Sequence, residues 1–147
     1  MQQFIEFFLN HWDLFLMLLV ILGLLAGQGL LGRLRGVADV GPQEAVQKIN
    51  HDDALLVDVR EDKEYEQGYI PGSVHIPLSE FGKRTGELEK HREKPIIVGC
   101  RSGNRSAQAA GTLRKQGFEQ VYNLRGGIMA WQSANLPVAT RQKGKKK

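Results

Sequence analysis

The sequence has a single cysteine, and this scarcity excludes two common ways of holding a small domain together. Cys100 has no second cysteine in the chain with which to form a disulfide, and no cysteine-rich metal site can be built around it. The four histidines are scattered without the spacing of metal ligands, so we expect no metal and no cofactor. The domain must therefore be stabilised by its apolar core.

The central part of the chain also lacks a strong net charge. Residues 37–140 contain 13 Lys/Arg and 14 Asp/Glu, so the formal net charge of +4 comes from the last seven residues, which hold five Lys/Arg and no acid. A nucleic-acid-binding domain would carry a basic stripe on the fold itself, so we expect no nucleic-acid partner. The basic tail, placed at 139–147, fits either a solvated end or a contact with anionic headgroups.

Long apolar runs are absent except near the N-terminus. The 18 residues from Leu14 to Leu31 carry no charge. As a helix they would cover about 27 Å, close to the ~30 Å hydrocarbon core of a bilayer. A secretory signal peptide would begin with basic residues, which the flank 1–13 lacks, and a buried helix of a soluble protein would show a polar face. The sequence therefore predicts a transmembrane helix over 14–32, through which the membrane would be a partner.

The basic residues that flank this run predict its orientation. No Lys or Arg precedes it, whereas Arg33 and Arg35 follow it in a connector at 33–36. Positive flanks stay on the cytoplasmic side, so we expect a single-pass membrane protein with its C-terminal domain in the cytoplasm. A free thiol also suits that reducing compartment.

Residues 37–138 alternate between short apolar runs and helical patterns, as a parallel α/β domain does. Pro42 opens a predicted helix, and another ends at Lys115, just before Gly117. Residues 54–57 and 95–98 are continuously apolar, which predicts central strands of a parallel sheet covered on both faces. Residues 121–124 form a further predicted strand.

The residues after the strand at 95–98 predict a reactive loop. From Cys100 to Ser106 the sequence reads CRSGNRS, between the carboxyl end of a strand and a helix, where open α/β sheets bind ligands. Amide dipoles, the helix N-terminus and two arginines would favour a thiolate. We therefore predict that Cys100 is a solvent-facing nucleophile, although a lone cysteine is more often a small buried hydrophobe. The predicted anion-binding residues are Arg101, Ser102, Gly103, Asn104 and Arg105.

Four motifs, in this order along the chain, resemble the rhodanese homology domain. They are VDVR at 57–60, GYIPGS at 68–73 followed by His75-Ile76-Pro77, the loop at 100–106, and GGIMAW at 126–131. The resemblance covers about residues 37–138 and is to single-domain sulfurtransferases, with a membrane helix added in front. It implies an α/β fold with a five-stranded parallel sheet flanked by helices.

The resemblance also implies an activity and roles for particular residues. Cys100 would be the catalytic nucleophile and carry a persulfide, and the amides of 101–105 would cradle it. The donor would be a small anion such as thiosulfate, and the acceptor a small-molecule or protein thiol, or cyanide. Asp58, Arg60 and Ser106 would support the site, with Asp58 and Arg60 more readily explained as a salt-bridged strand end than as substrate contacts.

Two other functions stay open at this point. The first is a cysteine phosphatase or arsenate reductase, which also uses an anion-binding loop that runs from a cysteine to an arginine. Five residues separate the cysteine from the arginine in those loops, whereas four separate Cys100 from Arg105. The second is a membrane-tethered rhodanese-like binding module without turnover. The retained Cys100 and both loop arginines argue against it.

Overall fold

The computed structural model describes residues 1, 7, 11–34 and 36–140, with side chains outside the described part over 26–35. The chain divides into two units, 1–34 and 35–147. The side chains of Arg33 and Arg35, on which the predicted orientation rests, lie outside the described residues, as do the basic residues 141–147 of the predicted tail.

The described part of the first unit includes the helix α1, over Trp12–Leu34. Its described side chains, from Trp12 to Leu25, are exposed except for Phe15, which is half-buried. Phe7 lies before the helix and packs on His11, with 4.8 Å between ring centroids, and against Phe15 at 6.4 Å.

The predicted membrane span is not supported. Within the described residues, none of the helices joins enough length to enough apolarity for crossing a bilayer. The predicted transmembrane helix over 14–32, the membrane as partner and the single-pass location with a cytoplasmic domain are therefore corrected.

The second unit is built on a parallel sheet of five strands, which confirms the predicted α/β architecture. The strand order is β1-β5-β4-β2-β3, and every neighbouring pair is parallel. The strands are β1 (Ala38–Val40), β2 (Leu55–Asp58), β3 (Val74–His75), β4 (Ile96–Gly99) and β5 (Val121–Leu124). The apolar runs at 54–57 and 95–98 thus form β2 and β4, each shifted by one residue.

Helices cover both faces of this sheet. They are α2 (Pro42–His51), α3 (Asp62–Gln67), α4 (Leu78–Arg84), a 3-10 helix (Thr85–His91), α5 (Asn104–Lys115) and α6 (Gly127–Ser133). One apolar cluster joins Val57 and Val98 to Leu113 of α5. A second joins Leu56, Ile97 and Leu124 to Ala45 of α2 and Trp131 of α6. Because successive strand residues point to opposite faces, the two clusters lie on opposite sides of the sheet.

The registry of the strands brings three chain segments to one edge of the sheet. Gly99, the last residue of β4, pairs with Asp58 at the end of β2, while Val98 pairs with Asn123 of β5. The residues that follow β2, β4 and β5 therefore meet at the carboxyl edge, where a parallel α/β sheet places its ligand site.

Candidate functional site

Cys100 begins a short loop that turns directly into α5. The turn depends on Gly103, which precedes the helix with φ 103°, a left-handed conformation that glycine adopts without a Cβ clash. The Gly103 amide donates a hydrogen bond to Cys100 Sγ at 3.0 Å. A Cβ at position 103 would lie 3.4 Å from the carbonyl oxygen of Leu124, so the loop also packs closely on the end of β5.

The Cys100 side chain is buried, with 2% of its surface exposed, and the prediction that it faces solvent is wrong. Burial raises the pKa of the Cys100 thiol. Hydrogen bonds from the Ser106 hydroxyl and from the amides of Ser106, Gly103 and Ser102 lower it by more, so the pKa lies below the ordinary value of 9.0. The hydroxyl oxygen of Ser106 lies 3.3 Å from Sγ. The site therefore combines a buried sulfur with donors that favour its ionised form.

The start of α6 holds the outer side of the loop. The amide of Ile128 donates to the carbonyl oxygen of Cys100 at 2.8 Å, and that of Met129 donates to the carbonyl oxygen of Arg101 at 3.3 Å. This close approach requires Gly127, because a Cβ there would lie 2.3 Å from the Cys100 carbonyl oxygen. With its carbonyls engaged by α6, the loop is fixed at Cys100 and Arg101.

Arg105 joins the loop to α3 through an ion pair with Glu64. Its two terminal nitrogens donate to the two carboxylate oxygens at 2.7 and 2.8 Å. The hydrogen bond from Arg105 lowers the pKa of Glu64. Reciprocally, the bond to Glu64, and to a smaller extent the charge of a Cys100 thiolate, raises the pKa of Arg105. Each side chain is about one-third exposed, so the pair lies at the rim of the site.

Asp58 and Arg60 form a buried ion pair at the end of β2. The shortest distance between a guanidinium nitrogen and a carboxylate oxygen is 2.6 Å. The guanidinium also donates to the carbonyl oxygens of Glu64 at 3.2 Å and Gly68 at 2.8 Å. Arg60 thereby connects the strand end to α3 and to the residue that follows it.

Three further residues whose amides are predicted to cradle the substrate, Arg101, Ser102 and Asn104, have exposed side chains. Arg101 borders a cavity of about 250 Å³ beside the loop. Cys100 itself does not line it. Side chains that do include Arg60, Glu64, Gln67, Arg101, Met129 and Gln132. Within the described residues, no three His, Cys, Asp or Glu side chains form a group suited to a metal ion.

Sequence reasoning missed several residues at this site. Glu64, the partner of Arg105, carries no signal in the sequence, because it lies 41 positions away on another helix. Gly127 belongs to the GGIMAW motif, but nothing in the sequence indicates that its backbone contacts the Cys100 loop. Asn123 did give a signal, since a polar residue in the otherwise buried strand β5 needs a partner. It accepts a hydrogen bond from Ser106 and donates one to Asp39.

Comparison with known proteins identifies the family. A sequence model of the Rhodanese-like domain matches residues 41–134. The chain belongs to the rhodanese-like domain family. The predicted family is thereby confirmed, without the membrane anchor.

The relatives of this chain include proteins that are named as sulfurtransferases. "Uncharacterized protein YibN" of Escherichia coli is 42% identical over 96 residues, which are 65% of this chain and 67% of the relative. "Thiosulfate sulfurtransferase GlpE" of Glaesserella parasuis is 33% identical over 100 residues, which are 68% of this chain and 91% of the relative. The Glaesserella parasuis relative, through its name, supports membership of a sulfurtransferase family.

Solved structures agree with the fold of this rhodanese-like domain. A rhodanese-related protein from Thermoplasma volcanium superposes with a TM-score of 0.63 at 32% identity, covering 69% of this chain and 97% of the other.

Proposed function

We propose that this protein is a sulfurtransferase that carries sulfane sulfur as a persulfide on Cys100. The donor is a small sulfur anion such as thiosulfate, and the acceptor is a thiol, of a small molecule or a protein, or cyanide. The observation that carries the proposal is the pair of hydrogen bonds to Cys100 Sγ, from the Gly103 amide at 3.0 Å and the Ser106 hydroxyl at 3.3 Å. Both donors stabilise an anionic sulfur, and a thiolate is the nucleophile in sulfur transfer.

The proposed cycle has two displacements. The Cys100 thiolate attacks the outer sulfur of thiosulfate, a new S–S bond forms, and the old S–S bond breaks with its electron pair leaving on sulfite. The persulfide then carries one negative charge on its outer sulfur, near the loop amides and Arg105. An external thiolate or cyanide attacks that outer sulfur, and Cys100 departs as a thiolate. No other thiol exists in the chain, so discharge requires an external acceptor.

The contacts of Arg105 favour sulfur over phosphate at this site. In a phosphatase loop the arginine would bind the phosphate dianion, but both terminal nitrogens of Arg105 are engaged by Glu64. Only four residues separate Cys100 from Arg105. A short loop whose amides point at the Cys100 sulfur, that of Gly103 at 3.0 Å, suits an atom attached to Cys100 better than a tetrahedral ion.

Intact-mass measurement tests the proposal. The full chain is exposed to thiosulfate, and we expect one added sulfur atom, located at Cys100 by peptide analysis, with release of one equivalent of sulfite. The added sulfur should persist until a thiol or cyanide is supplied. Cys100→Ser is the matched control. Absence of loading in the folded protein would contradict the proposal and favour a binding module without turnover, whereas hydrolysis of a phosphate ester dependent on Cys100 would favour a phosphatase.

A further inference from the structure

The Ser106 hydroxyl lies between the reactive sulfur and a buried amide. Its oxygen is 3.3 Å from Cys100 Sγ and 2.6 Å from Asn123 Oδ1. Strand registry explains the placement, because Asn123 pairs with Val98, two residues before Cys100, and side chains two apart point to the same face. Ser106 reaches that face from the first turn of α5.

Asp39 determines which end of the Asn123 amide meets Ser106. Asp39 pairs with Asn123 across β1 and β5, and Asn123 Nδ2 donates to Asp39 Oδ1 at 2.9 Å. A carboxylate only accepts hydrogen bonds, so the amide nitrogen must face Asp39 and the amide oxygen must face Ser106. Asn123 itself is 6% exposed, which leaves water little access to that oxygen.

The hydroxyl of Ser106 has one proton and two acceptors, so it donates to only one of them at a time. We propose that Asn123, oriented by Asp39, is a positioning residue that holds the Ser106 proton while Cys100 sulfur is uncharged and yields it when that sulfur becomes a thiolate. The role of this exchange in sulfur transfer rests on the proposed function above.

The exchange follows the charge on Sγ through the cycle. In the thiol, S–H can donate to the Ser106 oxygen while the hydroxyl donates to Asn123. In the thiolate, the full charge on Sγ makes it the stronger acceptor, and the hydroxyl turns to it. In the persulfide the charge has moved to the outer sulfur, and the hydroxyl returns to Asn123. Asn123 therefore stabilises the thiol and the persulfide relative to the thiolate.

Other charged groups near Cys100 bear on the same ionisation. Arg105 from α5 favours the thiolate, and its own charge is offset by Glu64 from α3. Arg101 is exposed beside the loop, and Asp58, at the end of the neighbouring strand β2, is paired with Arg60. None of these groups is hydrogen-bonded to Ser106 or Asn123 in the described structure, so variants of Asn123 leave them in place.

The test measures the thiolate without requiring sulfur transfer. The rate of alkylation of Cys100 by iodoacetamide is followed against pH by intact mass, which reports one site because the chain has one thiol. Asn123→Leu keeps the side-chain shape and removes the oxygen that competes with Cys100 Sγ for the Ser106 proton. The pH midpoint of Cys100 alkylation should therefore fall by about one pH unit, the scale of one hydrogen bond to a charged group. In a Ser106→Ala background the same substitution should leave the midpoint unchanged.

Variants of the exposed Asp39 provide a second route that does not alter the core. Asp39→Ala removes the carboxylate that orients the Asn123 side-chain amide, so the amide can rotate and its oxygen can turn away from Ser106. The pH midpoint of Cys100 alkylation should then fall, as in Asn123→Leu. Asp39→Asn can still accept from Nδ2, and it serves as the control for the lost charge. If Asn123→Leu does not fold, the Asp39 pair decides. A midpoint unmoved by Asn123→Leu, or by Asp39→Ala relative to Asp39→Asn, overturns the inference, as does a shift that persists without Ser106.

A second measurement links the exchange to sulfur. In a mixture of thiosulfate and sulfite, at a pH above the alkylation midpoints of both proteins so that free Cys100 is a thiolate, the ratio of persulfide to free Cys100 should be about tenfold lower in Asn123→Leu than in the natural sequence. An equal ratio in the two proteins would overturn the role in the cycle. Failure of the natural sequence to load at all, with the alkylation shift as expected, would instead refute the proposed function and leave the hydroxyl exchange standing.

Discussion

The closest backbone contact at the site gives the sharpest prediction. Replacing Gly127 by Ala places a Cβ 2.3 Å from the carbonyl oxygen of Cys100 and 2.5 Å from the carbonyl group of Arg101. Neither neighbour is the end of a flexible side chain, so the backbone must move. The φ of 56° adds about 1–2 kcal/mol for a residue with a Cβ, and overpacking adds about 1–3 kcal/mol. We expect a loss of about 2–5 kcal/mol in the free energy of unfolding.

Variants of two other glycines distinguish the cost of the backbone conformation from the cost of overpacking. Gly72 has φ 79° and nothing within 4 Å of an added Cβ, so Gly72→Ala should show only the conformational cost of about 1–2 kcal/mol. Gly82 in α4 has open space and no positive φ, so Gly82→Ala should be neutral or slightly stabilising.

Urea unfolding and sulfur loading would be measured on all three variants. Because the displaced backbone is that of Cys100 and Arg101, Gly127→Ala should lose loading even where it remains folded, whereas the other two should load normally. If Gly127→Ala matched Gly72→Ala in stability and loaded sulfur at the natural rate, the contact between α6 and the loop would be refuted.

Four further outcomes are expected. Cys100→Ser should remain folded by circular dichroism and take up no sulfur, because the replacement is nearly isosteric; loading in this variant would remove Cys100 from the mechanism. Alkylation of Cys100 should have a midpoint below pH 9.0, and the free energy of unfolding should rise with pH between the folded pKa and that ordinary value, since the native thiolate is the stabilised form. Glu64→Gln should cost about 1 kcal/mol at neutral pH, and the difference should vanish as the pH falls through the folded pKa of Glu64, below 4.5; a difference independent of pH would rule out the ion pair as its cause. Inserting a glycine between Gly103 and Asn104 should reduce thiosulfate turnover by enlarging the loop, and unchanged turnover would show that loop length does not select sulfur.

The parts of the fold that the sequence predicted are those with a strong local pattern. β2 and β4 are apolar runs, β5 coincides with the predicted strand at 121–124, and α2 begins at a proline and buries Ala45, so each was recognised within about a residue. β1 and β3 were not predicted by pattern, because β1 has two exposed residues of three and β3 has only two residues. Such strands exist through their pairing with neighbours, which a local pattern does not record.

In the candidate site too, the residues that are contiguous in sequence were predicted, and those that arrive through long-range contacts were not. The run from Cys100 to Ser106 contains the reactive group and its nearest donors, and all of them are contiguous in sequence. The predicted exposure of Cys100 was wrong because polar neighbours in sequence do not determine burial; the Cys100 side chain belongs to the apolar cluster that also contains Val57, Val98 and Leu113. Glu64, Asn123 and Gly127 contribute through long-range contacts, and only the polar residue inside a buried strand could have indicated one of them.

The pairing of β1 with β5 has a consequence during synthesis. Asp39 is made early and its partner Asn123 is made more than eighty residues later, while the amides that fix the Cys100 loop belong to α6, later still. On the ribosome, therefore, the thiol emerges before the groups that enclose it and before its hydrogen-bonding network is complete. Its acidity belongs to the finished domain, and an incomplete chain exposes only an ordinary, weakly ionised cysteine.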